Sequence, residues 1–253
     1  MSLRARLEQN LDHVLERIAR ARTKPSARLV AVTKSVPPAV ALELVALGVT
    51  DLGESRGQEF GRKQAAFEAA GVDVRWHFIG HLQRNKARAV VAHADVLHSV
   101  DSQRLLETIA RLAKELGRSP ELFLQVKLND EAAKGGFEPE AVAAALETAR
   151  DAGLRVRGLM AMAPLVDPAS GAEPARDTFR RLRALGDSLA ASEPAGSFVD
   201  ETVELSMGMS GDFELALAEG ADLVRVGSAL FEGLSPEERE PRAGSDRPAE
   251  GAA

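Results

Sequence analysis

The chain has no cysteine and no tyrosine among its 253 residues. The first absence excludes disulfides, thiolate metal ligands and cysteine nucleophiles, and it fits a reducing compartment. The second removes a common acid/base side chain from any mechanism. There is also no basic excess: 32 Lys and Arg face 38 Asp and Glu, for a net charge of −6. No global field draws in nucleic acid or an anionic membrane, so any anion must be held locally. No stretch reaches the roughly 18 apolar residues of a membrane span, and the opening Met-Ser-Leu-Arg-Ala-Arg-Leu-Glu-Gln-Asn has no apolar signal core. A cytoplasmic protein is expected, and a monomer is the simplest expectation for its assembly.

Hydrophobic residues at 45% and charged residues at 28% are ordinary for a soluble globular protein with a sizeable core. Leu3, Leu7, Leu11, Val14, Leu15 and Ile18 recur at helical spacing, which predicts an amphipathic helix covering the body of the fold. Short apolar runs follow at Leu29–Thr33, Thr50–Gly53, Trp76–Gly80, Val96–Val100, Leu122–Leu128, Val156–Met162, Val203–Met207 and Leu223–Val226. Between them lie helical patterns at Ala39–Leu47, Gln58–Ala70, Asn85–Ala92, Gln103–Leu116, Pro139–Ala152, Ala175–Ala191 and Asp212–Glu219. Strict alternation indicates parallel βαβ units, and eight runs predict a single-domain (β/α)8 barrel over residues 1–234. A doubly wound open sheet is the alternative, but its glycine fingerprint is missing after the first run, where Thr-Lys-Ser-Val-Pro-Pro stands. Val166–Glu173 and Ser192–Ser197 read as loops, and residues 235–253, with no apolar residue beyond alanine and proline, as a disordered tail.

Lys34 closes the first run ahead of two prolines. At a strand's exit its stem would pack on a core, and desolvation would favour the neutral amine that a Schiff base requires. The bland alternative is a lysine snorkelling to water. In such a barrel a phosphate is often held by the loops after the seventh and eighth strands. There the chain has Leu205-Ser206-Met207-Gly208-Met209-Ser210-Gly211-Asp212 and Arg225-Val226-Gly227-Ser228, small turns whose backbone N–H groups suit an anion. Either turn alone also reads as a plain helix cap, with Ser210 as N-cap in the first. Together with Lys34 they describe an amine beside a phosphate cradle, and pyridoxal phosphate carries the matching aldehyde and phosphate.

Five segments in one order carry a resemblance: Val30-Ala31-Val32-Thr33-Lys34, Leu52-Gly53-Glu54-Ser55-Arg56-Gly57-Gln58-Glu59, Trp76-His77-Phe78-Ile79-Gly80-His81-Leu82-Gln83-Arg84-Asn85-Lys86, Gly158-Leu159-Met160-Ala161-Met162-Ala163-Pro164 and the glycine-rich turn from Leu205 to Asp212. From about Leu29 to Phe231 the chain resembles the pyridoxal phosphate homeostasis proteins. The resemblance implies a barrel like the N-terminal domain of alanine racemase, with pyridoxal 5'-phosphate bound as an aldimine on Lys34. It implies no established catalysis, but a part in vitamin B6 and amino-acid balance, with pyridoxal phosphate-dependent enzymes as recipients. Carried over, the phosphate falls to Ser206, Gly227 and Ser228, aided by the backbone from Met207 and Gly208 to Gly211. Arg225 would face the pyridine nitrogen, its other reading being a barrel-rim salt bridge. Ser55 stands where the family usually has asparagine, so a contact made there is in question. Lys134, in a Lys-Gly-Gly turn, would be a second amine near the cofactor or a solvated loop lysine.

The rival reading is an amino-acid racemase on the same barrel. Racemisation of that type uses a lysine and a tyrosine, and a β-rich second domain; this chain has no tyrosine, and only the tail follows the barrel. His77 and His81 are four apart and His93 and His98 five apart, yet a strand at Trp76–Gly80 would point the first pair's rings apart, which argues against a metal site. His77 is expected in the barrel interior and His81 on a loop. Glu54, Gln83, Asn85 and Lys86 are expected as a polar rim or as loop caps.

Overall fold

A computed structural model describes residues 1–129, 135–166 and 171–239. Strands β1 (Arg28–Val32), β2 (Asp51–Glu54), β3 (Arg75–Phe78), β4 (Val96–Val100), β5 (Glu121–Gln125), β6 (Arg155–Met160), β7 (Glu204–Met209) and β8 (Leu223–Val226) pair in chain order and close into a barrel. Closure is the parallel pairing of β1 with β8, which sets Val30 beside Arg225 and Ala31 beside Val226. The helices are α1 (Leu3–Ala21), α2 (Pro38–Ala46), α3 (Gly57–Ala69), α4 (Ala87–His93), α5 (Gln103–Leu116), α6 (Val142–Asp151), α7 (Glu173–Ser192), α8 (Phe213–Ala218) and α9 (Pro236–Arg239). Both strand faces are covered, which is why β4 and β5 are buried along their whole length and read as unbroken apolar runs.

Two apolar cores result. The larger fills the annulus between barrel and helices, with Leu52, Leu97, Leu122, Leu205 and Val224 pointing outward into it. The smaller, Val30, Val96, Phe123, Met160 and Leu223, plugs the inside. Each such side chain contributes about 1.5–3 kcal/mol when fully buried. At the barrel's N-terminal end the interior turns ionic. Arg157 donates to both Glu121 oxygens and, at 2.9 Å, to Glu204, which also accepts from Arg28 at 2.7 Å. Burial would raise the Glu121 carboxyl, but Arg157, Arg75 and Arg155 outweigh it and hold it below its ordinary range.

The opening helix covers the body as expected. Ser2 caps it, accepting from the Ala5 N–H at 3.2 Å, and Leu7, Leu11, Val14 and Ile18 are its buried stripe. Asn10 donates to the carbonyls of Leu230 and Glu232, so α1 rests on the 3-10 turn Ser228–Phe231 where a barrel would otherwise place its last long helix. The segment expected as a disordered tail begins instead with an ordered turn. In α9, Ser235 and Glu238 bond to each other, Glu238 pairs with Arg6 at 3.1 Å, and Arg239 donates to the carbonyls of Phe231 and Leu234. Capping and ion pairing, rather than apolar content, hold it; residues 240–253 lie outside the described residues.

Candidate active site at the barrel mouth

The mouth is built where the strands end. β1 stops at Val32, and the Val36 N–H donating to the Thr33 carbonyl at 3.1 Å starts a turn that carries Lys34 out to an exposed position. The burial expected for Lys34 is therefore not there. It belongs to Lys63 on α3, which is 2% exposed and donates both to the Thr33 carbonyl and to Glu54 Oε1. Burial pulls the Lys63 ammonium below its ordinary range, and Glu54 partly restores it. Lys63 was missed, yet a signal existed: Phe60, Lys63 and Phe67 are spaced three and four apart, on the apolar face of α3. Glu54, expected on a rim, is fully buried at the end of β2; its Oε1 also accepts from the Thr33 hydroxyl at 2.6 Å. Gln83, Asn85 and Lys86 are exposed, as a rim requires. Ser55 is half-buried, its backbone so close to Gly80 that a Cβ there would lie 2.2 Å from the Ser55 carbonyl oxygen.

On the β7 side the strand runs past its expected end. β7 runs to Met209 rather than Met207, with a register shift between Ser206 and Met209. Gly208 permits this: its φ is +91°, and a Cβ would come within 2.6 Å of Ala216 and 2.9 Å of Phe213 on α8. Met207 consequently buries its side chain in the outer core, and Ser206 points inward with no exposure. Ser206 thus lies on the barrel's inner side against Arg225, and Met207 offers its backbone alone to the mouth. The turn is Met209–Asp212, closed by the Met209 N–H donating to Asp212 Oδ1 at 2.6 Å; Asp212, not Ser210, is the N-cap of α8. Ser210 instead accepts from the Gly227 N–H at 3.1 Å, so its hydroxyl marks where an anion would meet the two turns. Gly227 is half-buried and Ser228 exposed. A Cβ on Gly227 would stand 3.0 Å from the Val32 carbonyl oxygen, which brings the β8 turn against the strand that leads to Lys34. Lys134 lies outside the described residues.

Beneath the turns, Arg225 is 5% exposed and forms no ion pair among the described residues. Its Nη1 donates to Ser206 Oγ at 2.6 Å and its Nη2 to the Ala161 carbonyl at 3.2 Å, so it is not a rim salt bridge. Burial pulls the guanidinium down to about 10, with Asp212 opposing, which leaves it charged at neutral pH. Ser206 Oγ lies 2.7 Å from His98 Nδ1, His98 Nε2 lies 2.8 Å from His77 Nδ1, and His77 Nε2 lies 2.9 Å from Asp51 Oδ1. A guanidinium only donates and a carboxylate only accepts. With both imidazoles neutral, one proton assignment satisfies the whole line: Arg225 donates to Ser206, Ser206 to His98, His98 to His77, and His77 to Asp51. The line fixes the arginine without neutralising it.

Burial lowers both imidazoles, His98 further because His77 and Arg225 face it. An unfolded histidine takes up a proton near pH 6.5, and the folded ones refuse it until lower pH. Their contribution is thus fully present above about pH 6.5 and is lost on acidification below it. Asp51 and Glu121, held low, lose their contributions only below their own ordinary range, in a separate window. Urea midpoints at pH 7.5 and 5.5 check this, and equal midpoints would contradict it. Among the described residues no cluster of three or more His, Cys, Asp or Glu is arranged to hold a metal, and no helix is long and apolar enough to cross a membrane.

An exposed lysine, two joined glycine-containing turns and a buried arginine thus gather at the C-terminal end of the barrel. Residues 5–236 match the family model for the alanine racemase N-terminal domain. The chain is 42% identical over 211 residues to a pyridoxal phosphate homeostasis protein of Deinococcus radiodurans, covering 83% of this chain and 91% of that one. It is 36% identical over 229 residues to the protein of that name from Aquifex aeolicus, covering 88% and 96%. PipY of Synechococcus elongatus, solved with PLP bound, superposes with a TM-score of 0.76 at 40% identity over 89% of this chain and 99% of that one. The chain belongs to the alanine racemase N-terminal domain family and, within it, to the pyridoxal phosphate homeostasis proteins.

Proposed function

We propose that this protein binds pyridoxal 5'-phosphate, holds it as a Schiff base on Lys34, and buffers or delivers it within the cell as a monomer in the cytoplasm. The observation that carries the reading is the exposed Lys34, two residues past the Val32 carbonyl that the Gly227 turn approaches, above the buried Arg225, which makes no ion pair among the described residues. The residues fit the group. The cofactor supplies an aldehyde for amines and a phosphate dianion. Lys34 offers the amine; the backbone of Met209–Gly211, Gly227 and Ser228, with the Ser210 hydroxyl, suits the phosphate. Arg225 keeps its proton and so holds a pyridine nitrogen unprotonated. The PLP-bound relative supports the choice of cofactor.

Catalysis is not part of this reading. A charged Arg225 leaves the ring a poor electron sink, and a racemase of the lysine–tyrosine type has no second base in a chain without tyrosine. Chiral assays across the common amino acids are expected to stay far below ordinary enzyme rates of about 1 per second or more; turnover at such rates would reverse this. Pyridoxal phosphate-dependent enzymes are the natural recipients, which links the protein to vitamin B6 and amino-acid balance.

Gly227→Asp tests the phosphate placement. It sets a carboxylate beside the anion and a Cβ against Val32. Affinity for pyridoxal phosphate, measured by absorbance titration, is expected to fall by about a hundredfold, or ~2.7 kcal/mol. Parent-like affinity in a folded variant would refute the placement.

A further inference from the structure

Two buried, ionisable side chains converge on the residue just before Lys34. Thr33 is held at every polar atom: its N–H donates to the Gly53 carbonyl at 3.0 Å, its hydroxyl to Glu54 Oε1 at 2.6 Å, and its carbonyl accepts from Val36 and from Lys63. Gly53, Glu54 and Val36 are near neighbours along β1 and β2, whereas Lys63 reaches in from α3 with only 2% of its surface exposed. The carbonyl it grips belongs to the Thr33–Lys34 peptide. Buried ion pairs are weak stability devices, often replaced by apolar side chains without loss. One aimed at the peptide of an exposed amine therefore asks for another use. A second observation agrees: Glu54 Oε2 is buried and has no hydrogen-bond partner among the described residues. A buried acceptor left unmade is costly, so the pair is not arranged for stability alone.

We propose that Lys63 and Glu54 are positioning residues for Lys34: together they clamp Thr33 and hold the Lys34 peptide in the one setting that presents its amine to an aldehyde. This rests on the Schiff-base reading of Lys34. The clamp acts through Thr33, so it serves bond formation to the aldehyde rather than recognition of ring or phosphate.

Two probes separate those roles: pyridoxal phosphate, and pyridoxamine phosphate, which keeps the ring and phosphate but has no aldehyde. The double variant Glu54→Gln/Lys63→Met removes both charges together, so no single charge is left buried. Its affinity for pyridoxal phosphate is expected to fall by about tenfold or more, and its visible band to appear more slowly, while pyridoxamine phosphate binds as in the parent. Thr33→Val, a near-isosteric change, is expected to show the same split at smaller size if the double variant does not fold. Unchanged affinity and band rate in the folded variant, or equal loss for both ligands, would overturn the clamp. A parent protein that forms no visible band would overturn the Schiff-base reading instead, a distinct result.

Discussion

Lys34→Ala is expected to abolish the visible absorption that pyridoxal phosphate develops with the parent protein and to leave the fold untouched. Both halves follow from position. Lys34 is exposed past the end of β1 and makes no hydrogen bond or ion pair among the described residues, so its removal changes stability by no more than about 0.5 kcal/mol. Lys63, the buried amine that reaches Thr33, is enclosed and already donates to Thr33 and Glu54, so it is no substitute for the covalent link. What remains is non-covalent holding by the turns and Arg225, weaker by about a hundredfold or more. Spectra and thermal melts of the two proteins check it. A variant that keeps the band would remove Lys34 from the site, and one that unfolds would make the residue structural.

Gly158→Ala has the opposite signature. The pairing of β6 with β5 jumps from Val156–Leu122 to Gly158–Phe123, a bulge that places Arg157 against Glu121 and Glu204. Beyond the bulge the backbone of β6 lies so near β7 that a Cβ on Gly158 would be 1.8 Å from the Glu204 carbonyl oxygen and 2.7 Å from its nitrogen. Those are backbone atoms of a paired strand, and they cannot give way without breaking the ladder. A loss of about 3 kcal/mol or more is expected, a drop of roughly 6–12 °C in Tm. Gly61→Ala is the control, since a Cβ in that helical position meets nothing within 4 Å; it should be neutral or stabilising by up to about 1 kcal/mol. A Gly158 variant that melts like the parent would refute the close approach.

The barrel was legible because its strands are buried on both faces and read as apolar runs in a regular order. The boundaries were less so. β7 passes its expected end because Gly208 adopts a positive φ that only the contact with α8 explains. Gly227 and Ser228 were found at the mouth by their place after the eighth run. Which of Ser206 and Met207 looks inward was not legible from the glycine turn, because alternation along β7 decides it: Ser206 faces Arg225 inside and Met207 the outer core. The line from Arg225 to Asp51 was out of reach. Its members are separated by 19, 108, 21 and 26 positions, so no local period connects them, and only barrel closure brings them together. Lys63 hid for the reverse reason: a lysine in a helix reads as solvated, although its spacing from Phe60 and Phe67 put it on the buried stripe.

The central claim, that Lys34 is the residue carrying the cofactor, meets its most direct test in chemical trapping. Protein loaded with pyridoxal phosphate is reduced with borohydride, digested and mapped by mass spectrometry. The pyridoxyl mass should fall on the peptide containing Lys34 at near-full occupancy. Its appearance on Lys63 or Lys134 instead, or on no lysine at all, would contradict the account.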